Sequence, residues 1–456
     1  MKIYTKTQEV LSDTFTPISA FLSLRDEFAN VSLFESSDYQ SRENSKSYIC
    51  IHPIAAVKVT NGQLDVSANG TSIVEKVIDG AEDVERAINE FSFVDFHLAP
   101  HNGFFGVVGY DAIPLFEDIE FKKDQTELPE IYLAAYQFVL EFDHFHNPLL
   151  MIYNSFDADS NELFKIMNVI NRKVEPTQFF EVDNLVHSTE TNDSYKEKIV
   201  RAKEHVAKGD VFQLVISRQF SQKFKGDDFE VYRQLRTINP SPYMFYFDLE
   251  KARLIGASPE AQIRIHAGKA EIHPIAGTVK RSADEAFNQA NIQHLIKDEK
   301  ENAEHVMLVD LARNDLNINC KNVQVEKLKE VQTFSHVIHL VSKVTGEIQT
   351  ASPLQTFGSS FPAGTLSGAP KYKAMELIDQ YEASNRQYYG GAIGLISANG
   401  DVNMAIVIRT ALSFKNQLIY QAGAGVVMDS TPEGECQEVY NKIGSVQTAI
   451  NKANSK

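Results

Sequence analysis

Apolar and polar residues change their rhythm about two fifths of the way along the chain. Over the first third, short apolar runs alternate with polar turns: SYICIHPIAAVKVT (47–60) and GFFGVVGYDAIPLF (103–116) read as strands, with one helical stretch at 81–91. YLAAYQFVLEFDH (132–144) and PLLMIYN (148–154) flank the turn-like FHNP, which predicts adjacent buried strands, and NELFKIMNVINRK then carries helical spacing. Residues 174–193 lose periodicity and gain polar residues, and the boundary between two parts is placed there. Ser194 and Glu197 have capping-box spacing, Tyr195, Ile199, Ala202 and Val206 share one helical face, and Gly209 ends that helix before the strand VFQLVISRQF (211–220).

From there helices and strands alternate without a fixed repeat, with strands predicted near 243–249, 260–266, 270–275, 402–412 and 417–422. Several neighbouring strands are spaced for antiparallel pairing. A mixed α+β fold therefore fits better than a doubly wound parallel sheet.

Composition adds limits rather than identity. At 456 residues, 43% hydrophobic and 23% charged, the chain can bury a sizeable core and is ordered nearly throughout. Lys and Arg number 44 against 61 Asp and Glu, a formal charge of -17 that repels phosphate backbones and anionic lipids, so neither nucleic acid nor a membrane surface is an expected partner. MKIYTKTQEVLSDTFTP has no apolar core of signal-peptide length, no run of 18 apolar residues follows, and Cys50, Cys320 and Cys436 match no metal or disulfide spacing. The expectation is a cytoplasmic protein. An acidic chain that binds a small carboxylic acid needs local positive charge, backbone amides or a metal to reverse its own field.

Four segments carry residues suited to that task. In DEKENAEHVMLVDLARNDL (298–316), Glu301 and Glu304 lie three apart on a helix, and in GAGVVMDSTPEGECQEVYNK, Glu435 and Glu438 repeat the spacing behind a Thr431 cap and Pro432, with Lys442 one turn on. Two such helices facing each other would suit Mg²⁺, which takes oxygen ligands and few protein carboxylates; solvated helix faces would look the same. Gly423 and Gly425 let backbone amides approach a carboxylate, or form only a tight turn. Arg409, within the apolar run NMAIVIRTAL, is either a structural ion pair or a substrate clamp, and His339 in FSHVIHLVSKV reads first as a core histidine.

Taken together, GDVFQLVISRQF, PSPYMFYF, GASPE, PIAGT, KENAEHVMLVDLARNDL, FPAGTLSGAPK, YYGGAIG, IRTA, QAGAGVV and PEGECQEVYNK resemble the chorismate-utilising enzymes, in that family's order and over about residues 190–450. Ten ordered motifs do not arise as packing solutions. The resemblance implies an α+β fold of large, mixed, mainly antiparallel sheets in a sandwich with helices outside. Residues 190–452 would be the chorismate-binding catalytic domain and residues 1–180 an N-terminal region with feedback elements.

Within the family the pattern is similar to that of anthranilate synthases. Ala276 stands in PIAGT where aminodeoxychorismate synthases carry a nucleophilic Lys, and Gln213 stands where isochorismate and salicylate synthases carry a Lys that activates water. That leaves ammonia as the nucleophile. The resemblance implies that Glu304 and Glu438 hold Mg²⁺ with Glu301 and Glu435 in or near its shell. It places Gly277, Thr278, Tyr389, Arg409, Gly423, Ala424, Gly425 and Lys442 around chorismate, Glu260 as general acid, and His339 at the pyruvate-elimination step. LFESSD (33–38) is similar to the family's LLES, which with Ser36, Pro242, Tyr243 and Met244 implies a tryptophan site; Phe34 in place of Leu and VKRS after PIAGT depart from the pattern. Ammonia is expected from a separate glutamine amidotransferase subunit in a hetero-oligomer, with L-tryptophan as inhibitor. The competing readings are an aminodeoxychorismate synthase component and a catalytically silent tryptophan-binding subunit.

Overall fold

The computed structural model describes residues 1–36, 45–122, 124–145, 148–172, 178–282, 284–333, 337–349 and 352–454, without the side chains of Thr278, Lys280, Lys300 and Val337. Ser37 and Asp38 of LFESSD, His146 and Asn147 of the predicted turn, residues 174–177 and the FSH of FSHVIHL lie outside the described residues.

The fold is mixed α+β, and its central strands are buried on both faces. In the strand Lys46–Thr60, Ile49, Ile51, Val57 and Val59 join one apolar cluster while Cys50 and Ala56 join another; Ile131–Asp143 divides the same way between Leu133, Ala135 and Tyr132, Ala134. Strands with two buried faces read as continuous apolar runs rather than alternating ones. The smaller cluster draws Phe105, Val107, Tyr132 and Ala134 from the first part of the chain and Phe245, Leu254, Ile393 and Ala405 from the second, with no helical residue among the described ones. It is the inside of a sandwich. The larger cluster takes Phe21, Ile166, Ile199, Leu235, Val309 and Val446 from helices, which cover the outside.

Pairing is antiparallel almost throughout, with one parallel pair, Lys2–Tyr4 against Ser92–Val94, among the described residues. Strands from either side of residues 174–193 pair directly: Val31–Glu35 runs antiparallel to Tyr243–Asp248, and Gly103–Val108 to Ala392–Ser397.

Several predicted elements shift. The run at 103–116 is a strand only to Val108; a 3-10 helix follows at Tyr110–Leu115, where Pro114 cannot donate to a ladder. The strand predicted at 270–275 splits into Lys269–Ile272 and Ile275–Lys280 around His273–Pro274. The helix predicted from Ser194 begins at Asn192, capped by Thr191, whose hydroxyl accepts the Ser194 N–H at 3.2 Å, so Ser194 is the capped residue and not the cap. Its buried face of Tyr195, Ile199 and Ala202 and its end at Gly209 (φ 82°) are as predicted. All three cysteines are buried and unbridged. No described helix is long and apolar enough to cross a membrane.

Because Thr191 supplies the side-chain cap, Thr191→Ala should lower unfolding stability by about 1 kcal/mol in denaturant titrations, whereas Ser194→Ala should cost less than half of that.

Candidate functional site

Glu260 sits between two strands, Ala252–Ser258 and Ala261–His266, where Pro259 interrupts the ladder. Its carbonyl accepts the Ile406 N–H at 3.0 Å, which ties this corner to the strand Val402–Ile406, and Thr365 Oγ1 donates to its carboxylate at 3.4 Å. Burial pushes the carboxyl up to about 7, against the opposing pull of the Thr365 hydrogen bond and the charges of Arg409 and Lys442. The group is thus poised to hold and release a proton near neutrality.

Arg409 does not lie in a continuous strand. The apolar run expected at 402–412 breaks into Val402–Ile406 and Thr410–Phe414, and Arg409 occupies the break at φ 51°. A non-glycine residue in left-handed conformation costs energy that surrounding structure must sustain. Here Ala257 N–H donates to the Arg409 carbonyl at 3.3 Å and Thr410 pairs with Gly256. The guanidinium touches Asn239 Oδ1 at 3.4 Å and feels Glu260 and Glu438, while burial draws its pKa down. No carboxylate within ion-pair distance of Arg409 occurs among the described residues, so its charge is left for a ligand anion more than for a structural pair.

The strand Gln417–Val426 pairs with Gln213–Gly226, so that Gly423 faces Ser217 and Gly425 faces Val215. A Cβ on Gly425 would lie 2.6 Å from Gln213 Nε2, so the glycine is what admits the Gln213 side chain. That amide donates to Glu304 Oε1 at 3.4 Å, and its own Oε1 is buried without a partner. Lys442 Nζ donates to the Gly423 carbonyl at 2.9 Å and stands 3.7 Å from Glu438. The Tyr389 hydroxyl lies against the Gly423 backbone. Ala424 is fully buried on the opposite face of this strand, among helix-facing residues, so only its backbone can line the site.

Gly277 adopts φ 70° at a bulge in the strand Ile275–Lys280, where a Cβ would lie 2.5 Å from Leu295 Cδ1 and 3.3 Å from Glu301 Oε2. His339 Nδ1 is 3.3 Å from the Gly277 carbonyl, which can only accept, so this nitrogen carries the hydrogen. Burial holds the imidazole below its usual pKa, and Arg409 acts the same way. It is therefore a neutral ring beside the site rather than a core histidine. Thr278 stands opposite His339 in the backbone register, and its side chain is outside the described ones.

One chain of neighbours thus joins Glu301, Gly277, His339, Arg409, Glu260, Lys442, Glu438, Gly423 and Tyr389, and the ladder beside Gly423 carries on to Gly425, Gln213 and Glu304. Glu435 interacts with Tyr195, which in turn neighbours Tyr389 and the Ala424 backbone. Among the described residues no three His, Cys, Asp or Glu side chains gather closely enough to hold an ion by themselves. Glu304 lies beside Gln213, whose own oxygen is orphaned, and Glu301 lies beside Gly277, so the site offers oxygen atoms of the type a hydrated hard cation takes.

A second cluster lies at the Val31–Glu35 and Tyr243–Asp248 ladder. Glu35 pairs with Met244, placing Ser36 beside Tyr243 and Pro242; Glu35 accepts Tyr232 Oη at 2.5 Å and Arg236 Nε at 2.9 Å, and Arg264 donates to Tyr243 Oη at 2.6 Å. Met244 is buried and offers only a packing surface.

Sequence reasoning missed Thr365 and Asn239. Both sit in or beside quoted motifs, FPAGTLSGAPK and PSPYMFYF, yet neither residue type signals contact with Glu260 or Arg409 without the fold.

The chain matches the family model of chorismate binding enzymes over residues 34–448. It is 34% identical to the anthranilate synthase component 1 of Aquifex aeolicus over 97% of this chain and 93% of that one, and 34% identical to that of Bacillus subtilis over 97% and 91%. Its fold resembles the crystal structure of anthranilate synthase component I from Streptococcus pneumoniae, with a TM-score of 0.77, 31% identity and coverage of 96% and 98%. A menaquinone-specific isochorismate synthase from Escherichia coli shares the fold at 18% identity with a TM-score of 0.76, covering 98% and 94%. The chain belongs to the chorismate binding enzyme family, within its group of anthranilate synthase component 1 proteins.

Proposed function

We propose that this protein is the large component of an anthranilate synthase, converting chorismate and ammonia to anthranilate and pyruvate as a committed step toward tryptophan. The observation that carries the reading is Glu260, a recessed carboxyl raised to about 7 and set among the cations Arg409 and Lys442. An acid that is still protonated near neutrality, beside positive charge that attracts a dicarboxylate, suits expulsion of a ring hydroxyl.

Arg409 clamps the pyruvyl carboxylate with its planar fork. Tyr389, Gly277 and the Gly423–Gly425 backbone enclose the ring, and Lys442 adds charge for a carboxylate. Ammonia adds to the ring as the hydroxyl departs with the Glu260 proton as water, giving aminodeoxyisochorismate. Loss of a ring proton and cleavage of the bond to the enolpyruvyl oxygen then release pyruvate and leave the aromatic ring; we assign His339, whose ring burial keeps neutral, to that step. Mg²⁺, when bound by Glu304 and Glu438 with Glu301 nearby, supplies the positive charge that orients the ring carboxylate and neutralises it. Ala276, buried in its strand, offers no nucleophile, which disfavours the aminodeoxychorismate chemistry.

A glutamine amidotransferase subunit in a hetero-oligomer is the proposed ammonia source, in the cytoplasm. L-tryptophan is the proposed inhibitor, at the cluster of Ser36, Pro242, Tyr243 and Met244.

Purified protein given chorismate, ammonium and Mg²⁺ should produce anthranilate fluorescence that EDTA abolishes and Glu438→Ala reduces at least a hundredfold; intact chorismate with folded protein would refute the reading. Glu260→Gln should lower kcat by two to three orders of magnitude, the usual range for a lost general acid being about 10²–10⁴. With free ammonia held constant, wild-type kcat should be full below pH 7 and fall above it, because the acid form is the active one. The same raised carboxyl costs folded-state stability as pH rises from 4.5 to about 7, so Glu260→Gln should have the higher Tm at pH 8 and match the wild type near pH 4.5. Tryptophan should inhibit, and Ser36→Arg should raise its half-inhibitory concentration at least tenfold with little change in the uninhibited rate.

A further inference from the structure

We propose that the buried Glu382–Arg386 pair is the positioning element of this site, fixing three of its parts from beneath through one guanidinium and one carboxylate. The inference rests on the reaction proposed above. The pair spans one turn after the helix Lys371–Tyr381, and its side chains are 5% and 1% exposed, with Oε1 and Nη2 2.6 Å apart. Arg386 also donates to the Leu366 carbonyl at 2.6 Å, the Val215 carbonyl at 2.9 Å and Glu382 Oε2 at 2.8 Å.

Each contact reaches a different piece of the site. Leu366 follows Thr365, the residue that hydrogen-bonds Glu260. Val215 faces Gly425 and lies two residues after Gln213 on the same strand. The guanidinium lies 5.5 Å from the Tyr389 ring centroid, while Tyr110 backs it at 4.6 Å. Glu382 Oε1 in turn accepts the Ser217 N–H at 2.7 Å and its hydroxyl at 2.6 Å, and Gln421 donates to that hydroxyl at 2.7 Å, which fixes the strand opposite Gly423. A pair serving packing alone would have no need to reach three separate segments that each carry a site residue. A planar guanidinium can bridge two carbonyls and a carboxylate at once, and an ammonium on a flexible stem cannot.

The test compares Arg386→Lys, Arg386→Met and Ser217→Ala, the last leaving the ion pair intact. The expected result is that Arg386→Lys keeps most of the wild-type Tm yet loses at least tenfold in kcat with a smaller change in chorismate KM. In the same variant the Glu260 titration, followed by NMR with Glu260→Gln as reference, moves upward because the Thr365 hydrogen bond that lowers it is loosened. Arg386→Met, which leaves the Glu382 charge buried and unpaired, loses Tm as well. Ser217→Ala shifts kcat and the Glu260 titration in the same directions by a smaller factor. Recovery of kcat in step with Tm in Arg386→Lys, with the Glu260 titration unmoved, would overturn the proposal. If the wild type yields no anthranilate, the reaction reading fails by itself, and the Glu260 titration in the variants still decides the positioning role.

Discussion

The ladder between Gln213–Gly226 and Gln417–Val426 is the constraint on which the rest of the site depends. It has one face for helices and one for chemistry. On the helix side Tyr195 donates to the Ile216 carbonyl at 2.8 Å, and Phe220 stacks with Tyr420 and packs against Tyr440 of the C-terminal helix. On the other side Gly423 and Gly425 keep the surface low enough for Gln213, Tyr389 and Lys442 to close over it. A side chain at either glycine would collide with the strand opposite, so the shape of the site is set by what is missing from two positions. The helices Glu299–Asn319 and Pro432–Asn454 reach this ladder through Glu304, beside Gln213, and Lys442, on the Gly423 carbonyl.

Electrostatics then resolve the conflict posed by an acidic chain that binds an acid. The charge of -17 belongs to the whole chain, and exposed charges are screened by water and salt, whereas the buried Arg409 and the half-exposed Lys442 act at short range beside Glu260. The same recession raises Glu260, so one feature of the surroundings both strengthens the pull on an anion and keeps a proton available. The buried pair beneath contributes no net charge and so does not compete with the cations above it.

Much of this was legible in the sequence because the residues with chemical roles cluster in short motifs whose local structure is simple. The paired glutamates three apart, Pro432 after Thr431 and the glycines of QAGAGVV each follow from helix or strand geometry alone. Arg409 was misplaced for a physical reason: the flanking run is apolar throughout, and periodicity carries no mark of a single residue turning to positive φ. Thr365, Asn239 and the Glu382–Arg386 pair were invisible because their meaning lies in contacts across 105, 170 and up to 171 residues of chain.

The strand Tyr243–Asp248, with Ser36 at its edge, is hydrogen-bonded along six residues to Ala252–Ser258, which runs on to Glu260 and on its other side is paired to Thr410, next to Arg409. Neighbouring strands are about 4.8 Å apart and share every ladder bond, so these segments behave as a plank rather than as separate ropes. A displacement of the plank at its far edge would therefore carry Glu260 and Arg409 together. Such coupled movement would need no hinge and no rearranged loop, only the stiffness of a sheet that the two parts of the chain share.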